Sequence, residues 1–227
     1  MTAVASSLTG AFNFRDAGGG PIRRRRLFRS DTLQALTATD KELLLERFGI
    51  EGVIDLRSSA ETVSEGRADL PGVRYVNVPL RAVQKGRSSA LEEIYADHLR
   101  HDDNLTVAVE ILAVLLVRPV VVHCASGKDR TGIVTALALG LAGAPREMIV
   151  RDYLRSAYSL PRVIARFRSL GLPEELFRCT EGTINALLDT VEEDFGGFAG
   201  WARQRGVSDA AVRALRGNLL NDRGIVR

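Results

Sequence analysis

Two cysteines in 227 residues exclude a disulfide framework and fit a reducing compartment. Nor does any stretch reach the roughly 18 uninterrupted apolar residues of a membrane span. The longest candidate, residues 107–117, is too short and is interrupted by Glu110. Residues 1–12 lack a basic start followed by a long apolar stretch, so no secretory signal peptide is evident. The expected location is cytoplasmic, with export by another route left open. Lysine is scarce: Lys41, Lys85 and Lys128 stand among 31 basic side chains, against 28 acidic ones. A net charge of +3 is too mild for the footprint of a nucleic-acid binder. No group of His, Cys, Asp or Glu has metal-ligand spacing, and no metal or cofactor is expected. Repeats and low-complexity linkers are absent as well. One domain over 1–227 is therefore expected, with a sheet-containing core over 1–145 and a helical subregion over 146–227.

What is present alternates. Short apolar runs predict strands at 27–30, 53–56, 75–78 and 120–123. A first helix should start at Thr39 or Asp40, both good caps, and end before Gly49. Helical periodicity continues at 91–101, at 105–117 (more buried), at 133–143 and 147–158, and then to about Leu220. Pro161, Gly171, Pro173 and Gly196-Gly197 punctuate this last part. The pattern predicts an α/β fold, a mixed and mostly parallel central sheet flanked by helices, with a helical carboxyl-terminal region. The run Arg23-Arg24-Arg25-Arg26 reads as a solvated hairpin turn. Its sharper reading is a patch that draws acidic substrates or an anionic lipid surface.

The most specific segment is His123-Cys124-Ala125-Ser126-Gly127-Lys128-Asp129-Arg130-Thr131-Gly132. A cysteine stands where a strand ends, and an arginine six positions later stands where a helix begins. Loop amides and a first helical turn lack intrahelical partners, so they form an anion site. The same field favours thiolate over thiol at Cys124. Arg130 presents a planar fork of donors to two phosphate oxygens, which lysine would not match. Gly127 lets the loop turn its amides inward, and Thr131 can offer its hydroxyl to the sulfur. Ala125, Ser126, Gly127, Lys128, Asp129, Arg130 and Thr131 are the expected phosphate-binding residues. Together they predict a two-step reaction through a phosphocysteine. The nucleotide-binding Gly-x4-Gly-Lys-Ser/Thr loop is excluded, because Asp129 follows Lys128 and Val122 stands where its first glycine would be.

At these residues the chain resembles the bacterial tyrosine/serine protein phosphatases of the secreted mycobacterial type, a group similar to lipid phosphatases with a lysine in the loop. Asn13-Phe14-Arg15-Asp16-Ala17-Gly18-Gly19, Leu27-Phe28-Arg29-Ser30, Val53-Ile54-Asp55-Leu56-Arg57 with Glu61, and Asp152-Tyr153-Leu154 extend the likeness over most of the chain. The resemblance implies the cysteine-phosphatase fold and Asp129 as the proton donor to the leaving oxygen. Arg130 beside it favours the carboxylate, whereas burial and an approaching phosphate favour the acid. Asp55 is the second candidate acid, if it reaches the same cleft rather than partnering an arginine. Asp97, Asp102 and Asp103, with His98 and His101, come third. Lys128 would hold a further phosphate of an inositide or orient Asp129. His123 is expected to steady the thiolate through nearby backbone. Asn13, Arg15 and Asp16 are expected to knit the amino-terminal arm to the loop's underside, and Arg57 to pair with Glu61. Cys179 is a candidate redox partner of Cys124.

The leading expectation is a hydrolase for phosphotyrosine, with phosphoserine/threonine and phosphoinositides as further substrates. A small-metabolite or nucleotide phosphomonoesterase is the alternative, and an inactive phosphate-binding module a third reading. Partners are thus a phosphorylated protein, lipid or small molecule, without nucleic acid. Oligomeric state is not legible.

Overall fold

A computed structural model of the chain describes residues 8–81, 91–167 and 178–221. Its centre is a five-stranded sheet in the order β1-β2-β5-β3-β4. The strands are β1 (Arg15–Asp16), β2 (Leu27–Ser30), β3 (Gly52–Asp55), β4 (Arg74–Asn77) and β5 (Val120–His123). Only β1 runs antiparallel; β2, β3 and β4 join the sheet in parallel, as expected. β5 lies between β2 and β3, with His123 in register with both Ser30 and Asp55. Every residue of these three strands is buried.

Two cores explain why a run of valines makes the central strand. Val120 and Val122 face the larger cluster with Leu27 and Ile54, while Val121 faces the other side with Phe28 and Val53. Strand periodicity of two sends alternate side chains to opposite faces, and each β-branched side chain buried there contributes roughly 1.5–3 kcal/mol. On the smaller side Phe14 stacks on Phe28, and Phe48 meets both edge-on.

The helices are α1 (Ala38–Glu42), continued by a π turn at Leu43–Arg47, α2 (Ser59–Glu65), α3 (Leu91–His101), α4 (Asp103–Leu115), α5 (Asp129–Ala142) and α6 (Arg146–Leu154), continued by a 3-10 turn at Arg155–Tyr158. Then come α7 (Leu160–Phe167), α8 (Glu181–Phe195), α9 (Phe198–Gln204) and α10 (Asp209–Leu219). α5 is the buried spine, with twelve of its fourteen residues in the interior. Every strand precedes Cys124, and everything described after it is helical or a connection.

Local chemistry moves several boundaries. The first helix is capped by Thr37, and Asp40, the third helical residue, closes a capping box by accepting from the Thr37 N–H. Asp40 also accepts from the N–H groups of Thr9 and Gly10, a tertiary demand that a cap at Asp40 would forfeit. α4 starts at Asp103 because Asp102 accepts from the Asn104 N–H. α5 starts four residues before 133, so Asp129 to Gly132 form its first turn. β1 and α2 were not expected; β1 is two residues long, and α2 is short with no buried residue. Pro161 lies in the first turn of α7, where a missing N–H costs nothing, so it opens that helix. Gly171 and Pro173 lie outside the described residues.

Candidate active site

Because β2, β3 and β5 are parallel, their carboxyl ends open on one side of the sheet, where ligands of such folds bind. The loop after β5 lies there, and its carbonyls from Ala125 to Lys128 are all engaged. The Ala125 carbonyl accepts from the Thr32 N–H at 3.1 Å and the Ser126 carbonyl from Asn13 Nδ2 at 3.1 Å. The Gly127 carbonyl accepts from Arg29 Nη2 at 2.6 Å, and the Lys128 carbonyl takes the Gly132 N–H at 2.8 Å. Planar peptides put the next N–H opposite each carbonyl, so the amides of 126–129 turn the other way, the Lys128 N–H donating to Ser126 Oγ at 3.3 Å. The Gly127 N–H accordingly donates to Cys124 Sγ at 3.2 Å. Gly127 is required twice over: its φ is +68°, and a Cβ there would fall 2.4 Å from the Ser30 carbonyl oxygen.

Arg130 is pinned by Glu61, which takes one bond from each terminal nitrogen, both 2.7 Å. Burial disfavours its charge, but the Glu61 bonds and the negative charges of Cys124 and Asp129 outweigh that and raise its pKa. In turn, burial pushes Glu61 up, and Arg130's hydrogen bonds and charge overcome it to bring Glu61 down to about 2. Glu61 also closes the capping box of α2 with Ser58, so one carboxylate fixes both a helix start and the arginine. Glu61→Gln should therefore cost about tenfold in kcat/KM, since a charge-assisted fork becomes a neutral contact. The stability contributed by ionised Glu61 is complete above its ordinary value of 4.5 and is lost as pH falls through about 2. Urea unfolding between pH 7 and pH 2 should show a shallower acid decline in Glu61→Gln; equal slopes would remove Glu61 from this role.

Asp129 Oδ1 receives Lys128 Nζ at 2.8 Å and the Tyr95 hydroxyl at 2.7 Å. Tyr95 has one proton and spends it on Asp129, so in the 2.9 Å contact with Tyr153 the donor is Tyr153. Burial, then the negative charge of Asp129, raises the pKa of both phenols, which keeps them donors. The Lys128 and Tyr95 bonds both fall on Oδ1, and the Asp129 side chain is 14 % exposed. Lys128 is fully buried and donates to the Arg178 carbonyl at 2.7 Å. Of its two expected roles, the geometry matches the orientation of Asp129. Thr131 Oγ1 is buried and has no hydrogen-bond partner among the described residues.

Asp55 corrects an expectation. It does not open on the cleft: it is fully buried, bound by Arg57 Nη2 at 2.7 Å and by the Tyr75 hydroxyl at 2.8 Å, with His123 Nε2 at 3.6 Å. Burial raises its pKa, yet His123 and the Arg57 bonds prevail and lower it, which leaves no proton to give. Arg57 pairs with Asp55 and Glu65 instead of Glu61. The upstream acids are held in ion pairs of their own: Asp97 pairs with Arg81, Asp102 with His98, and Asp103 with Arg205. His123 Nδ1 lies 3.3 Å from the Cys124 carbonyl oxygen. Cys179 donates its thiol to the Tyr153 carbonyl at 3.4 Å, and both cysteines are free.

Under the loop, Arg15 and Arg29 share Asp152, at 3.1 and 2.6 Å. Burial and the charge of Arg29 bring Arg15 down to about 9, with Asp152 working against the fall. Asn13 belongs to this brace; Asp16 does not, since its carboxylate accepts from the N–H groups of Gly18 and Arg25. Asp152, Ser156 and Tyr95 were not singled out as site residues. Their signal is weak, because a polar side chain on a helix is ordinarily solvated.

A cysteine that accepts a loop amide at the end of a parallel strand, with a fixed arginine on the following helix, is the arrangement of a cysteine-dependent phosphatase. A family profile described as the tyrosine phosphatase family matches residues 6–221, and the chain belongs to that family. It is 31% identical over 271 residues to the triple specificity protein phosphatase PtpB of Mycobacterium tuberculosis, covering 94% of this chain and 98% of that protein. A tyrosine-protein phosphatase of Nostoc commune is 28% identical over 212 residues, 83% of this chain and 72% of that protein. The chain is a tyrosine-phosphatase-like phosphoric monoester hydrolase. Among the described residues no helix is long and apolar enough to cross a membrane, and no group of three or more His, Cys, Asp or Glu could hold a metal ion.

Proposed function

We propose that Cys124 attacks the phosphorus of a phosphotyrosyl protein, with phosphoserine/threonine and phosphoinositides as further substrates. The observation that carries the reading is the Gly127 N–H at 3.2 Å from Cys124 Sγ, in a loop whose carbonyls are all engaged elsewhere. In the first step an S–P bond forms and the P–O bond to the leaving group breaks, while protonated Asp129 gives its proton to the leaving oxygen. In the second, water attacks the phosphocysteine, Asp129 takes a proton back, and the thiolate departs. Arg130 and the amides hold the equatorial oxygens throughout. The named specificity of the mycobacterial relative supports the broad substrate range. Hydrolysis of p-nitrophenyl phosphate in EDTA, blocked by vanadate, with phosphate trapped on Cys124 after rapid quench, is the expected result. Turnover without a trapped phosphocysteine would overturn the mechanism.

The role of Asp129 has its own test. Asp129→Ala should slow phosphorylation of Cys124 by roughly 10²–10⁴ for phenyl phosphate and alkyl phosphates, and far less for p-nitrophenyl phosphate. A good leaving group needs no proton, so the dependence of rate on leaving-group pKa should steepen. An unchanged slope would assign the acid elsewhere.

A further inference from the structure

The four-arginine run 23–26 does not act as one patch. Arg26 Nη1 bonds the Val117 carbonyl and Arg25 the Arg47 carbonyl, and the Arg23 N–H bonds the Leu219 carbonyl. Arg24 is turned differently. A Cβ built on Gly19 would lie 3.5 Å from Arg24 Nη2, so this guanidinium covers the glycine turn. Beneath it is a cavity of about 230 Å³, walled by Gly18, Gly19, Gly20, Arg24, Arg151 and Arg155. All three arginines are exposed at its mouth. Among the described residues neither the Arg24 nor the Arg151 guanidinium has a hydrogen-bond or ion-pair partner, and that of Arg155 has only a 3.4 Å contact to the Asp16 carbonyl. The one carboxylate in the wall, Asp152, already holds Arg15 and Arg29, so it brings no uncompensated negative charge. None of residues 124–131 lines this cavity.

The geometry points to a second anion site here, for a phosphate-class dianion, separate from the catalytic loop. Three arginines line a concave space, and planar guanidinium forks match phosphate oxygens two at a time. Gly19 and Gly20, at φ of +151° and +55°, keep the backbone bare of side chains where the anion would approach. Arg151 and Arg155 also line a larger adjoining cleft of about 640 Å³, which has room for whatever carries the phosphate. The phosphate group is common to soluble phosphate esters and to lipid headgroups.

The test compares the full chain with Arg24→Ala/Arg151→Ala and with a charge-matched control, Arg203→Ala/Arg213→Ala, whose arginines are exposed elsewhere. Calorimetric titration with sodium pyrophosphate should give two sites in the parent and the control. The Arg24/Arg151 variant should keep the catalytic one and bind the other at least roughly tenfold more weakly. Its p-nitrophenyl phosphate turnover should equal the parent's. Co-sedimentation with phosphatidylcholine vesicles carrying phosphatidylinositol 4-phosphate forms the second arm. Loss of vesicle binding in that variant alone would support the site with a headgroup as its source, and loss of the pyrophosphate site alone would support a soluble ester. Equal behaviour of the two double variants in both arms would overturn the site.

Discussion

Replacing Cys124 with serine is expected to lower phosphatase turnover by at least about 10⁴-fold while leaving the fold intact. Cys124 is 1 % exposed and packs among apolar neighbours, and serine is nearly isosteric. What changes is the nucleophile. A hydroxyl is not ionised near neutral pH, and neither His123, which faces Cys124's own carbonyl, nor Asp55, which is held by Arg57, is placed to take its proton. Anion binding should survive, because it is made by the amides and by Arg130. The Cys124→Ser protein should therefore still bind phosphate, with a melting temperature near the parent's. Residual hydrolysis within tenfold of the parent would contradict the covalent route.

The second large effect is expected at Arg130. Arg130→Lys keeps the positive charge but loses the fork that Glu61 grips at two 2.7 Å contacts. Lysine offers one ammonium, which would be drawn to Glu61 rather than stand across from the phosphate. A fall of about 10²–10³ in kcat is expected, in line with removal of an oriented donor to developing charge. Substrate affinity should fall less, since the amides of 126–129 remain. Glu61→Gln, which loosens Arg130 without removing it, should give a smaller loss than Arg130→Lys. If the order reversed, Glu61 would be acting on substrate directly, and the pairing would not be its task.

How much of this was legible before the structure differs by element. The loop 123–132 was readable because strand, cysteine, glycine, arginine and helix lie in one contiguous segment, where local rules suffice. β5 was readable because a continuous run of three valines leaves few alternatives. Arg130's partner was not, since Glu61 lies 69 positions away and its nearer neighbour Arg57 offered a plausible helix pairing. That neighbour is taken by Asp55 across a two-residue bend. The brace beneath the loop joins Arg15, Arg29 and Asp152 over separations of 123 to 137 residues. Nothing in local patterning says that two arginines will share one buried carboxylate. Tyr95 has the same history: on a helix it reads as an apolar anchor, and only the tertiary fold brings its hydroxyl to Asp129.

The engagement of every carbonyl from Ala125 to Lys128 has a consequence for the enzyme's economy in the cell. A cradle held in shape before anything arrives accepts tetrahedral dianions of the right size, whatever group they carry. Released orthophosphate is such a dianion. Throughput would then be throttled by its own end product whenever phosphate accumulates, and discrimination among esters would rest with the rim of the cleft.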